Sequence, residues 1–181
     1  MVELIIAGLA RSGKDTVGDY LAEDYGFEKH TFSEVLRELL ISEGIQPTKE
    51  RMIELGDELR KEMGMDAVAK LLAPKIKRKR GIALVGPRSI EEIEFFREKF
   101  PGIIVVKVSS SEQQRIERNK EEGSAEKDKF FERDNKDMKR KGFEKVLEAA
   151  QYELENFSTK EELYSQIDFL MEKLGQRKNR I

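Results

Sequence analysis

Short apolar runs punctuate a chain otherwise crowded with charge. Val2–Ala7 is apolar apart from Glu3, which predicts a parallel strand buried on both faces. Lys14–Asp24 places Val17, Leu21 and Ala22 on one side, the period of an amphipathic helix. Phe27–Phe32 reads as a short second strand. Ser33 is the expected N-cap of a helix over Glu34–Glu43, and Gly44–Gln46 is a turn. Pro47 and Thr48 open a longer helix to about Met63 that turns Met52, Leu55 and Leu59 inward, and Gly64 ends it. Asp66 is expected to cap a helix over Ala67–Leu72, which Pro74 stops.

The same alternation continues in the second half. Ile82–Val85 and Ile103–Val108 are apolar enough to be buried strands. Ser89 is expected to cap the helix between them and to form a capping box with Glu92. Ser109–Gly142 is polar with sparse apolar positions. Phe143–Ala150 reads as helix, Tyr152–Leu154 as a last strand, Thr159–Leu174 as a last helix and Gln176–Ile181 as a basic tail. Strands alternating with helices predict an α/β fold: a parallel five-stranded sheet with helices on both faces. A chain of 181 residues without a low-complexity linker suits a single domain over 1–181.

Between the first strand and first helix stands Gly8–Leu9–Ala10–Arg11–Ser12–Gly13–Lys14–Asp15–Thr16. A glycine loop between a strand and a helix is a phosphate cradle, because its N–H groups and the helix N-terminus converge on one anion. Gly8, Arg11, Ser12, Gly13, Lys14, Asp15 and Thr16 are therefore candidate nucleotide-binding residues, with Lys14 reaching the β/γ-phosphates of ATP. A Ser or Thr normally follows the lysine and ligates Mg²⁺. Here Asp15 follows it and Thr16 comes one place later, so Asp15 and Thr16 are the candidate metal ligands.

Charged residues make up 39 % of the chain, yet the net charge is −2, which argues against a dedicated nucleic-acid binder. The absence of Cys and the single His30 exclude disulfides, thiolate chemistry and a histidine-rich metal centre. No stretch has membrane-spanning length and no signal peptide is evident, so the expected setting is cytoplasmic. His30 reads as structural or substrate-adjacent. Lys75–Arg80 is a basic run without interleaved aromatics, expected to be the solvated end of a helix. Nothing in the sequence marks an oligomeric state.

Phosphoryl transfer is mostly positioning and charge neutralisation, for which arginines are suited. Arg88 lies past the carboxyl end of a strand, the edge where open α/β sheets bind ligands. Arg37 and Arg60 join it as candidates for the acceptor side. Arg115 and Arg118, then Arg133, lie in the charged stretch, which suits a cover that excludes water or a solvated helical hairpin. Gly86 stands where a strand-end Asp would serve the metal, which leaves Asp15 and Asp57 as the candidate carboxylates. Two functions follow. One is a kinase acting on a phosphorylated or hydroxylated metabolite. The other is an NTPase or nucleotide-gated regulator with a protein or RNA partner.

The Ser12–Thr16 core resembles the phosphate loop of phage deoxynucleoside monophosphate kinases. The wider pattern is similar to an archaeal P-loop kinase-like family related to adenylate kinase and dephospho-CoA kinase. Its segments are Phe32–Ser33 with Arg37, Pro47–Thr48, Leu55–Arg60, Gly64, Asp66–Ala69, Arg88–Ser89 with Glu91–Glu92 and Phe95–Phe96, Ser109–Ser111, Arg115 and Arg133–Asp134. The resemblance implies a nucleoside-monophosphate-kinase-like P-loop NTPase, with an acceptor-binding helical segment around 33–70 and a helical lid around 112–142. Arg37, Arg60 and Arg88 would face the acceptor. Arg115, Arg118 and Arg133 would close over the phosphates. Three departures are Asp15 after the lysine, Gly86–Pro87 in place of Asp–Gly before Arg88, and Asn119–Lys120 where relatives carry further arginines.

Overall fold

The computed structural model describes residues 1–77, 80–121 and 142–179. Five strands form one parallel sheet: β1 (Glu3–Ala7), β2 (Glu28–Thr31), β3 (Ile82–Val85), β4 (Ile104–Ser109) and β5 (Tyr152–Glu155). Their order is β2-β3-β1-β4-β5, and every pairing is parallel, with Leu4 opposite Ala83 on one side and Ile104 on the other. The central strand β1 therefore ends between the carboxyl ends of β3 and β4. There the phosphate loop begins.

Helices cover both faces. Alternate residues of a strand point to opposite sides. Ile5, Leu84 and Val105 pack with α2 (Phe32–Ser42), α4 (Ala67–Leu72), α5 (Ile90–Lys99) and α7 (Phe143–Glu148) through Phe32, Leu36, Leu72, Phe96 and Phe143. Leu4, Ile6, Val85 and Val106 pack with α1 (Lys14–Tyr25) and α8 (Lys160–Lys173) through Val17, Leu21, Ile167 and Met171. The helix α3 (Lys49–Met63) lies across α2 and α4, with Met52, Leu55 and Leu59 against the first cluster. A 3₁₀ turn, Ala73–Lys75, precedes β3, and α6 (Glu112–Glu121) follows β4.

Two caps differ from the pattern-based expectation, and a third makes one contact more. Thr31, not Ser33, caps α2: its hydroxyl accepts from the Glu34 N–H at 3.1 Å and its own N–H donates to Glu34 Oε2 at 3.0 Å. Extended backbone persists to Thr31, so the helix starts two residues earlier and Phe32 enters the core at its first turn. Ser89 caps α5 as expected, accepting from the Glu92 N–H at 3.3 Å, while the Glu92 carboxylate accepts from the backbone N–H of Ser89 and also from that of Arg88, the latter at 2.6 Å. Asp66 makes no side-chain cap and pairs with Lys70 at 2.8 Å.

Within the charged stretch, α6 is described; residues 122–141 lie outside the described residues, and with them Arg133, Asp134 and Arg140. Lys75 pairs with Glu38, as a solvated helix end would, while Arg78 and Lys79 also lie outside. His30 Nε2 donates to Glu28 Oε1 at 2.7 Å, a contact between same-face neighbours on β2. Among the described residues no helix is long and apolar enough to cross a membrane.

Candidate active site

At the carboxyl edge of the sheet the structure opens a cavity of about 490 Å³. Its first wall is the phosphate loop. Gly13 caps α1 with φ +99° and Arg11 also takes a positive φ, 64°, so the chain turns left-handed twice within three residues. A Cβ on Gly8 would run into the Ser12 hydroxyl and stand 2.7 Å from the Val108 carbonyl oxygen. The loop is drawn tight by its sequence: Ser12 N–H donates to the Leu9 carbonyl at 3.2 Å. Gly13, Lys14, Asp15 and Thr16 line the cavity, and the Lys14 ammonium lies 3.6 Å from the Asp15 carboxylate.

The second wall comes from α2, α3 and the β3–α5 connection. It carries Arg37, Lys49, Arg60 and Arg88 around an apolar floor of Phe32, Leu36, Met52 and Ile53. Arg11, Lys14, Arg118 and Lys160 border the loop side. Among the described lining residues eight are cationic and one, Asp15, is anionic. A chain of net charge −2 thus concentrates positive charge in one concavity, which raises the local concentration of anionic ligands.

Arg60 and Arg88 are tied together by one carboxylate. Glu92 is fully buried in the first turn of α5; Oε1 accepts from Arg60 Nη2 at 2.6 Å and Oε2 from the Arg88 N–H at 2.6 Å. Arg60 Nη1 also donates to the Gly56 carbonyl, one turn back on α3, at 3.0 Å. Burial pushes the Glu92 carboxyl above its ordinary range, against the pull of the Arg60 guanidinium and the two backbone donors. The Arg88 guanidinium stands 5.9 Å from the centre of the Phe143 ring.

Sequence-predicted residues therefore divide. Arg11, Gly13, Lys14, Asp15, Thr16, Arg37, Arg60, Arg88 and Arg118 meet at the cavity. Gly8 and Ser12 shape the loop from behind. Asp57 is exposed on α3 and does not line the cavity. Arg115 is buried and donates to the Ala10 carbonyl at 3.1 Å, gripping the loop instead of lining the cavity. Arg118 does both: it lines the cavity and donates to the Arg11 carbonyl at 3.1 Å. Lys49, Lys160, Glu92 and Asn156 were not anticipated. Asn156 follows the end of β5, the edge where ligand-side residues gather, so its position carried a signal. Glu92 carried none beyond its cap, because its partner lies 32 residues away.

These features define a P-loop domain of the nucleoside-monophosphate-kinase type, and residues 7–133 match the family described as AAA domain. The chain belongs to the archaeal UPF0200 proteins: it is 34 % identical over 181 residues to the UPF0200 protein of Thermococcus onnurineus (strain NA1), a match covering 94 % of this chain and 97 % of that relative. Among solved structures, shikimate kinase from Acinetobacter baumannii in complex with shikimate superposes with a TM-score of 0.64 at 18 % identity, over 97 % of this chain and 94 % of that one. A gluconokinase from Sinorhizobium meliloti 1021 gives 0.54 at 18 % identity, over 96 % and 95 %. At such identity the two structures share the fold with this chain.

Proposed function

We propose that this protein is an ATP-dependent kinase that transfers the γ-phosphoryl group to a small phosphorylated metabolite in the cytoplasm. The observation that carries the reading is the two-walled cavity: a phosphate loop with Lys14 faces Arg37, Lys49, Arg60 and Arg88 across about 490 Å³. Two cationic walls bring two anions together that would otherwise repel each other. That is the main task of a phosphoryl-transfer site. The kinase names of the structural neighbours agree with the reading.

In this reading the loop N–H groups and Lys14 hold the β/γ-phosphates and stabilise charge on the transferring group. Arg37 and Arg88 hold the acceptor's anionic group, with Arg60 beside them already paired to Glu92. Phe32, Leu36, Met52 and Ile53 offer an apolar surface for the rest of the acceptor. The donor set fits Mg²⁺: Asp15 and Thr16 supply oxygens at the cavity, and this ion is usually bound by one or two protein oxygens plus substrate phosphates. When bound it neutralises phosphate charge. Arg133 would reach the phosphates from the charged stretch, and Arg115 acts on the loop backbone.

The test is ADP release from ATP–Mg²⁺ across nucleoside monophosphates and dephospho-CoA, with wild type and Lys14→Ala. One acceptor that raises the rate above the no-acceptor control, with loss in the variant, is the expected result. A flat panel with weak Lys14-dependent hydrolysis would overturn the kinase reading in favour of a nucleotide-gated regulator.

A further inference from the structure

Three consecutive carbonyls of the phosphate loop are held from outside it. Arg115 Nη1 donates to Ala10 O at 3.1 Å, Arg118 Nη1 to Arg11 O at 3.1 Å, and Asn156 Nδ2 to Ser12 O at 2.8 Å. The donors come from two elements far apart in sequence: α6 and the turn between β5 and α8. They are also joined to each other and to the sheet. Arg118 Nη2 donates to the Asn156 carbonyl at 3.3 Å, and the Asn156 N–H donates to Ser109 O, at the end of β4, at 2.8 Å.

A trans peptide unit points its C=O and the following N–H in opposite directions, and no cis bond occurs among the described residues. Fixing a carbonyl outward therefore fixes the next N–H inward. Arg115 orients the N–H of Arg11 in this way, and Asn156 orients the N–H of Gly13, away from itself and toward the cavity that Gly13 lines. The intervening N–H, of Ser12, is already used within the loop by the Leu9 carbonyl. Arg118 thus steadies the turn, whereas Arg115 and Asn156 aim donors. Asn156 is 7 % exposed and its amide occupies the space where a Gly13 side chain would begin. Glycine is needed there both for its φ of +99° and for this contact.

We infer that Asn156 and Arg115 are positioning residues that preset the phosphate loop for a di- or triphosphate. The inference rests on the nucleotide-binding part of the reading above but not on any acceptor. It assigns Arg115 a task different from direct contact with the phosphates, and gives Asn156 a task where none was expected. An N–H that is already aimed costs no reorganisation when an anion arrives. Without the clasp, the Ser12–Gly13 peptide is free to rotate and part of the binding energy goes to reordering it.

The experiment is calorimetric titration of the full chain with ADP and with inorganic pyrophosphate, for wild type, Asn156→Ala and Arg115→Met. Both ligands engage the loop, but only ADP carries a base. The expected result is a drop of about tenfold in affinity for both ligands in each variant, the order expected when one buried hydrogen bond is lost, with the binding stoichiometry kept near that of wild type. A merely structural role would lower the fraction of competent protein, seen as reduced stoichiometry with unchanged affinity, and would overturn the inference. So would wild-type affinity in both variants, or a loss for ADP without one for pyrophosphate. A wild type that binds neither ligand would instead overturn the nucleotide reading, and the inference with it.

Discussion

Replacing Arg60 by Met tests the proposed acceptor wall at its most exposed physical assumption. The Arg60 and Glu92 side chains are 6 % and 0 % exposed, and their charged groups are 2.6 Å apart. Arg60→Met leaves the Glu92 carboxylate in the interior with only the backbone donors of Arg88 and Ser89 around it. Removing one partner of such a pair costs about 3–5 kcal/mol, a large share of the roughly 5–15 kcal/mol that holds a domain together. Removing both, as in Arg60→Met with Glu92→Leu, deletes the uncompensated charge; what remains is the N–H groups of Arg88 and Ser89 without that acceptor, about 1 kcal/mol each at the low end of the range for an orphaned donor. The double variant should therefore be more stable than the Arg60→Met single variant by about 1–3 kcal/mol, a coupling above the experimental scatter of a double-mutant cycle. Urea unfolding of the four proteins at neutral pH measures it, with equal denaturant slopes as the check that the unfolded state is unchanged. Because Arg60 also lines the cavity, the refolded double variant should still lose acceptor affinity while keeping nucleotide affinity. Single variants within about 1 kcal/mol of wild type, or a double variant no more stable than the worse single, would refute the claim that this pair is desolvated.

Three further outcomes follow from separate parts of the molecule. Lys14→Ala should lower nucleotide turnover by about 10²–10³-fold, the range for removing one transition-state donor, with an unchanged melting temperature; comparable turnover would remove Lys14 from the chemistry. Gly8→Ala should cost about 1–3 kcal/mol by overpacking, because its Cβ meets the Ser12 hydroxyl and the Val108 carbonyl oxygen, and thermal unfolding of the purified variant reads this. Asp168 is partly desolvated, which raises its pKa, but Lys178 at 2.8 Å and the hydroxyls of Tyr25 at 2.8 Å and Tyr20 at 2.9 Å more than offset this and hold the carboxyl below its ordinary range. A lowered carboxyl stabilises the fold fully above its unfolded pKa of about 3.9 and loses that contribution as pH falls through the folded value; Asp168→Asn should therefore be less stable than wild type at pH 7, with the gap closing toward pH 2, and a gap that stays constant with pH would contradict the assignment.

The parallel sheet was legible because its strands are apolar runs bounded by turns, and burial on both faces leaves that signature in the sequence itself. The phosphate loop was legible for a second local reason: its glycines, lysine and flanking elements are contiguous. The tertiary partners were not. Thr31 replaces Ser33 as a cap because β2 ends at Thr31, one residue short of the strand end that the apolar pattern marks, and the helix begins at Phe32. Arg115 reads as a ligand-side arginine from its place after β4, yet it is on the buried side of α6 together with Asn119 four residues on; a single stretch of polar residues offers no apolar stripe from which to tell the two sides apart. Arg60 and Glu92 lie 32 residues apart, and Asn156 and Ser12 lie 144 apart. No spacing rule connects residues that meet only after the sheet has brought distant strand ends to one edge.

The two walls of the cavity are held by separate devices of the same kind. On the proposed acceptor side the Glu92 carboxylate fixes one guanidinium and the backbone N–H groups of Arg88 and Ser89; on the nucleotide side the Asn156 amide and two arginines fix three carbonyls. In both, the group that meets the ligand is held by a buried polar partner anchored at the end of a strand or the start of a helix. The partners differ in charge for a physical reason. A buried carboxylate suits the acceptor wall, where it lowers the mutual repulsion of Arg37, Lys49, Arg60 and Arg88. At the phosphate loop the groups to be held are carbonyls, which need donors; an ionised carboxylate has none to give, whereas Asn and Arg do. Among these buried partners, acid therefore stands behind the proposed acceptor wall and donors behind the phosphate loop, whose one carboxylate, Asp15, lies instead at the cavity itself, 3.6 Å from Lys14 and open to a metal ion.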